Sequence, residues 1–335
     1  MTAPHVEARS MHRAPSWAER ISRIPTANWM AYGLTVACLL LLGFTTANGF
    51  NPDRWFRILA NAAPLGVVAI AQTIVIINRG LDLSVGSVMN TAAVLTAVLS
   101  GSPDASLPRT LAVVFLVGAS IGLVNGLMIA HTAIPPLLGT LATATVVQGL
   151  NVLATQGQPK GLVPPQLRDW ADSRLGASPI SLSLVVWVLL LVLVGIALAT
   201  TVAGRRFKAA GAAPRAAWLA GVPVKTHTVF AYVVSGTLAA FAGVLLVAYS
   251  GAPSLTAGDS YALNSVVAAV IGGAVLAGGA GGMVGAFAGV AMLAFLTTVL
   301  NSFNIPTPVQ QIVNGLVLIL MLLVGAGLAR KGGSR

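Results

Sequence analysis

The chain has 335 residues, of which 56% are hydrophobic and only 8% charged, with a formal net charge of +11. A soluble protein of this length carries about 25% charged residues, so a chain folded wholly in water is excluded. Its apolar runs are long and do not alternate, which excludes a membrane β-barrel as well. What remains is an all-α polytopic membrane protein with about ten transmembrane helices (roughly 8–10), some of them short or broken. In such a chain the positive excess is a topology signal and implies no nucleic acid. One cysteine, Cys38, lies in the first apolar run, so an intrachain disulfide and a thiolate metal site are excluded.

Residues 1–27 are polar and basic, with Arg9, Arg13, Arg20 and Arg23 among three prolines (Pro4, Pro15, Pro25). They read as a mostly disordered cytoplasmic tail with a short interfacial helix over 17–23. The first apolar run begins only near Trp29 and is too long for the core of a cleavable signal. A membrane body then occupies 28–328, followed by a second basic tail at 329–335. Spans are predicted at 29–47, 58–77, 85–99, 110–130 and 134–153, and after the polar stretch 155–178 at 180–202. The last of these is almost purely Leu, Val and Ile and is expected to face lipid. Further spans follow at 228–249, 261–276, 284–301 and 310–328; several fall short of the ~20 residues a bilayer needs.

Between the sixth and seventh spans lies GRRFKAAGAAPRAAWLAGVPVKTH (204–227), with Arg205, Arg206, Lys208, Arg215 and Lys225 and no acid. A Lys or Arg at the bilayer centre costs roughly 2.5–3.5 kcal/mol, so this island belongs in water at a membrane face. It is either a short basic helix along the membrane that receives a soluble partner, or a loop that only fixes topology. Ten crossings with cytoplasmic termini put 13 of the 19 basic residues inside, the remaining six being Arg54, Arg57, Arg109, Lys160, Arg168 and Arg174. Acids run the other way: Asp53, Asp104, Asp169, Asp172 and Asp259 fall outside, and Glu7, Glu19 and Asp82 inside.

No catalytic set emerges. The four histidines (His5, His12, His131, His227) lack ligand spacing, and neither a P-loop nor a nucleophile elbow occurs. The chain is therefore read as carrying no metal, no cofactor and no enzymatic activity of its own. Two glycine ladders, Gly118/Gly122/Gly126 and Gly281/Gly285/Gly289, set smooth stripes that admit close helix packing or a dimer interface. Asp82 is the only acid near a span core; it reads as a cap or ion pair with Arg79, with Ser84 capping the next helix, or as a gating group. Besides Asn61, Gln72 and Gln311, the uncharged polar residues in or beside spans are Asn90, Asn125, Thr140, Gln148, Asn151, Asn264, Gln310 and Asn314. Together with Asp82 and Ser84 they are the candidate solute path. Amides and hydroxyls suit a neutral polyhydroxylated solute, but they serve equally as interhelical bonds worth about 0.6 kcal/mol each.

Four stretches carry a family resemblance. GLDLSVGSVMNTAAVLTAVLS (80–100), IPPLLGTLATATVVQGLNVLATQGQP (134–159), GAAPRAAWLAGVPV (211–224) and TAGDSYALNSVVAAVIGGAVLAGGAGGMVGAFAG (256–289) occur in this order. They resemble the membrane permeases of ribose/xylose/arabinose-type ABC importers. The resemblance implies a homodimeric inner-membrane subunit that passes a monosaccharide by alternating access. It implies a periplasmic or lipoprotein sugar-binding protein and a cytoplasmic ABC ATPase that holds ATP and Mg. The ATPase would dock on the loop containing Arg205, Arg206, Lys208, Gly211, Pro214, Arg215 and Gly221. The chain departs from the family at Arg215, Trp218, Ala262, Asn264 and Ala280, where charge is lost or reversed, and at Ala213, which stands in place of an asparagine. Rival readings are an ABC permease for a branched-chain amino acid, nucleoside or sugar-like signal, and a secondary transporter needing no ATPase.

Overall fold

The computed structural model describes residues 26–46, 48–101 and 106–332, which hold fourteen helices and no strand. The expected tail over 1–25 with its interfacial helix, the loop 102–105 with Asp104, and 333–335 lie outside the described residues. The helices are α1 (Thr26–Thr45), α2 (Pro52–Asn61), α3 (Ala63–Ile77), α4 (Val85–Ser100), α5 (Leu107–His131), α6 (Pro136–Thr155) and α7 (Pro165–Asp172). Then come α8 (Leu182–Thr200), α9 (Val202–Ala212), α10 (Pro214–Leu219), α11 (Val224–Ser250), α12 (Asp259–Ile271), α13 (Met283–Ser302) and α14 (Thr307–Gly332).

Among the described residues five helices are long and apolar enough to cross a membrane: α5, α6, α8, α11 and α13. A sixth arises if α2 and α3, which meet at 56°, count as one bent span. The 58–77 span expected from sequence is therefore two elements. Asn51 accepts the Asp53 N–H at 2.9 Å and Pro52 opens α2, so a helix starts early; Ala62 is the joint. Other expected crossings fall on short helices. The 16 residues of α4 and 13 of α12 rise about 1.5 Å each, less than the ~30 Å of hydrocarbon.

The core is built around α3. Its residues from Ala63 to Ile77 are buried apart from Leu65, which is half-buried. A helix apolar on all sides has no solvent face to offer and must be surrounded. The long α11 packs along α3, α4 and α5. Its approach to α5 is set by the first glycine ladder: a Cβ on Gly118 would meet the Gly236 carbonyl, one on Gly122 the Tyr232 carbonyl, and one on Gly126 the Cα of Val229. The second ladder joins α13 to α12 in the same way, Gly285 against Gly272 and Gly289 against Ala268, while Gly281 sits beside Ile77. Both ladders thus work within the chain. α1 lies against α13 through Cys38 and Leu42 on Ala291, Phe295 and Val299.

The run expected to face lipid, 180–202, is α8 with its connections. It exposes Leu189, Val192, Leu193 and Ile196, and it is anchored on one edge by Trp187. That indole is fully buried, fills the space above Gly66 and stacks on Phe287 with centroids 5.1 Å apart.

Backbone-to-backbone contact along the first ladder predicts a sharp contrast. Gly122→Val should cost about 1–3 kcal/mol or more through overpacking, read as a lowered Tm in detergent. Gly33→Val, at a position with nothing within 4 Å of a new Cβ, should leave the Tm nearly unchanged.

Candidate functional site

The polar break NRGLDLS (78–84) ends α3 and precedes α4. Arg79 takes a left-handed φ of 64°, and the Gly80 N–H returns to the Val75 carbonyl at 2.9 Å, closing the helix end. The chain then turns Asp82 inward, to 1% exposure. One carboxylate oxygen accepts the Ser84 N–H at 3.0 Å and the Ser84 hydroxyl at 2.6 Å; the other accepts the Ser235 hydroxyl of α11 at 2.7 Å. Ser84 Oγ in turn accepts from Asn125 Nδ2 of α5 at 2.9 Å. In the orientation that satisfies both its ends, the Gln72 amide of α3 donates to the Asp82 carbonyl at 3.1 Å and accepts the Asp82 N–H at 3.3 Å. Tyr232 Oη donates to the Leu81 carbonyl at 3.2 Å, and the Leu83 N–H donates to Thr140 Oγ1 of α6 at 3.1 Å. α3, α5, α6 and α11 are thereby tied to one irregular segment.

Two expectations about this segment change. Ser84 was expected to cap α4, but its backbone is already helical (φ −76°, ψ −12°) and its side chain makes no cap bond. The carboxylate of Asp82 takes the free Ser84 N–H instead. Of the two structural readings of Asp82, as a cap or as an ion pair with Arg79, the pair does not form: Arg79 Nη2 donates outward to the Ala212 carbonyl at 2.8 Å. Short hydroxyl and amide donors reach a buried carboxylate where a long guanidinium would have to be buried too.

A second junction locks α4 to α12. Asn90 Nδ2 donates to Asp259 Oδ1 at 2.8 Å, and its Oδ1 accepts the Gly258 N–H at 2.7 Å. On one side of α12 lies a cavity of about 580 Å³, lined by Ser87, Thr145, Gln148 and Asp259 among apolar neighbours. On the other lies one of about 310 Å³, lined by Asp259, Asn264, Gln311 and Asn314. Asp259 borders both. Gln148 Nε2 donates to the Leu255 carbonyl at 2.8 Å, while its Oε1 is buried without a partner among the described residues. The Asn314 side-chain oxygen is in the same position. Both are buried acceptors on side chains that line the cavities.

The remaining candidates bond helices to one another. Asn151 donates to Thr91 Oγ1 at 2.9 Å, joining α6 to α4, and Gln310 clasps the α13–α14 turn through Asn301 and the Ile305 carbonyl. The sequence-derived set therefore divides: Asp82, Ser84, Asn125 and Thr140 form the knot, Asn90 the lock, and Gln148, Asn264 and Asn314 the cavity walls. Sequence reasoning missed Ser235, Tyr232 and Ser87, and it assigned Asp259 to an outer loop. An acid in a chain with only eight was the available signal for Asp259.

At the basic face, Gly211 of α9 sits against the Ile77 carbonyl, which also accepts the Gly279 N–H at 2.8 Å. Thr228 Oγ1 donates to Asn78 Oδ1 at 2.9 Å. The end of α9, the start of the 78–84 break and the glycine turn after α12 thus form a three-way joint. α10, opened by Pro214, stands outside it with Trp218 67% and Leu219 73% exposed, and Gly221 turns the chain back at φ 80°.

The knot makes a checkable claim. Ser235→Ala strands a buried carboxylate oxygen, which should destabilise by about 1–3 kcal/mol. The same change in an Asp82→Asn background should cost markedly less, the coupling being read from a double-mutant cycle of thermal unfolding.

Comparison with known proteins gives an extended match. The family described as "Branched-chain amino acid transport system / permease component" covers residues 54–322. A Sinorhizobium fredii protein named "Probable ABC transporter permease protein y4mJ" is 33% identical over 294 residues, 87% of each chain. The ribose import permease protein RbsC of Escherichia coli is 30% identical over 86% of this chain and 91% of its own. The autoinducer 2 import system permease protein LsrC of an Enterobacter species is 33% identical over 80% and 77%. No solved structure gives a significant match. A match of this extent, from the bend at α2 into α14, makes the chain a member of this permease family, the membrane-spanning components of ABC importers.

Proposed function

We propose that the chain forms the membrane path of an ABC importer for a monosaccharide, working as a homodimer in a bacterial inner membrane. The observation that carries the substrate class is the lining of the two cavities beside α12. A few hydroxyls, amides and one carboxylate stand in walls that are otherwise mostly apolar, and neither has a Lys or Arg in its lining. A zwitterionic amino acid needs a cation or free backbone N–H groups at its carboxylate, and here the acid Asp259 borders both cavities. A sugar needs partners for its hydroxyls, and Ser87 Oγ and Thr145 Oγ1, which already donate to the Ser84 and Leu141 carbonyls, keep acceptor capacity beside the amides of Asn264 and Asn314. The relatives named for ribose import support this reading over the amino acid in the family's description.

In this reading the basic island faces the cytoplasm, as the bias of Lys and Arg toward that side supports. The exposed α10 surface, Arg215 and Trp218 foremost, receives an ATPase that binds and hydrolyses ATP with Mg. The joint at Gly211, Ile77 and Gly279 passes its movement to the 78–84 break and to the half-length helices α4 and α12. A sugar-binding protein delivers solute on the opposite face. The ten-crossing count with cytoplasmic termini follows if α4, α12 and the helices outside the five to six long spans also cross the bilayer in part.

Labelled ribose uptake in cells carrying the chain with its ATPase and binding protein tests the substrate class. Excess pentose should abolish the signal and excess leucine leave it intact. Gln148→Ala should lower uptake about ten-fold, the order expected for losing a hydrogen bond to a desolvated solute group. Suppression by leucine, with pentoses inert, contradicts the proposal.

A further inference from the structure

A groove at the basic face takes no part in the solute path. It lies between the end of α8, the start of α9 and the start of α11, and measures about 510 Å³. Leu198, Phe207 and Phe230 give it apolar walls, and its polar lining is confined to Thr201, Thr226 and His227. Val194, Ala197 and Leu198 of α8 line it, next to Leu193 and Ile196, which are exposed on the same helix. The groove therefore opens from hydrocarbon.

At its rim the chemistry changes. Arg205 and Arg206 at the start of α9, and Lys225 at the start of α11, are all exposed. Arg205 Nη1 donates to the Thr200 carbonyl at 3.0 Å, which holds the guanidinium at the foot of α8 beside Thr201 of the groove lining. None of α3, α8, α9, α10 or α11 carries an Asp or Glu, so the helices that build the groove bring no carboxylate to these cations. An apolar slot that opens to lipid and ends at positive charge met by no carboxylate of the helices around it is complementary to one class of molecule, an acyl chain bearing an anionic head.

We propose that this groove binds an anionic phospholipid, with an acyl chain between α8 and α11 and its phosphate against Arg205, Arg206 and Lys225. The site goes beyond the transport reading and divides the basic island in two. α9 rests on lipid at Phe207, while α10 presents Trp218 and Leu219 to a protein partner. Because α9 also abuts Ile77 through Gly211, a lipid seated here braces the joint that leads to the 78–84 break.

Native mass spectrometry of the purified full chain in detergent, offered equal phosphatidylglycerol and phosphatidylcholine, tests the site. Wild type should retain phosphatidylglycerol with a preference of roughly ten-fold, the order expected for two or more cations near a lipid phosphate. Arg206→Gln with Lys225→Gln, both exposed positions, should erase the preference between the two lipids. Ala203→Trp, which fills the groove from an exposed position, should remove one retained lipid per chain whatever its head group. Equal retention of the two lipids by wild type overturns the proposal. So does undiminished phosphatidylglycerol retention in both variants.

Discussion

A carboxylate held in the interior of a membrane protein must have its oxygens satisfied by the protein itself, because unpaired charge in a low-dielectric core is prohibitive. Asp82 meets this demand through hydroxyls and a backbone N–H drawn from its own segment and from α11, with Asn125 of α5 bonded behind Ser84. Gln72 and Thr140 then satisfy the irregular backbone around it. Ser235, Asn125, Gln72 and Thr140 come from four different helices, so the bonds around Asp82 also fix how α3, α5, α6 and α11 stand relative to one another. Networks of this kind hold when complete and are costly when one member is missing.

The same principle governs the rest of the interior. Non-helical backbone within a membrane body is tolerated where protein buries it or where it lines an aqueous cavity. The 78–84 break meets the first condition. The 251–258 segment leads to Gly258 and Asp259, which Asn90 holds against the first half of α4, and it opens on the two cavities beside α12. Helices interrupted in this way place backbone ends and short polar side chains deep in the body, the arrangement by which membrane carriers build solute sites without burying many ions.

The sequence was informative where a physical constraint acts over many residues. Long apolar runs required membrane helices, a run of cations required a surface, and glycines four apart required close helix contact; α5, α8, α9 and α11 follow. Less legible were features that depend on which segments meet in three dimensions. Hydropathy reports apolar length and not depth, so the shortness of α4 and α12 was visible in the sequence but not where in the body they lie. Ser84 before an apolar run looked like a cap because local pattern cannot register that Asp82 takes its N–H. Ser235 is a lone hydroxyl in an apolar helix, and only the fold puts it opposite a carboxylate. Asp259 read as a loop charge because its partner Asn90 is 169 residues away. The four stretches of family resemblance, by contrast, carried the class of protein directly.

Between the basic face and the cavities the structure offers a continuous line of contact. It runs from α10 through α9 to the Ile77 carbonyl, then along the break to Asp82 and into α4 and α12. This line has a use only if a soluble motor acts on α10, so the most direct measurement is recovery of the tagged chain from its native membranes in mild detergent, with mass spectrometry of what accompanies it. The account predicts a P-loop ATPase in near-stoichiometric amount, lost when Arg215→Glu and Trp218→Ala are combined. Recovery of the chain alone, still active in liposomes without ATP, would contradict it.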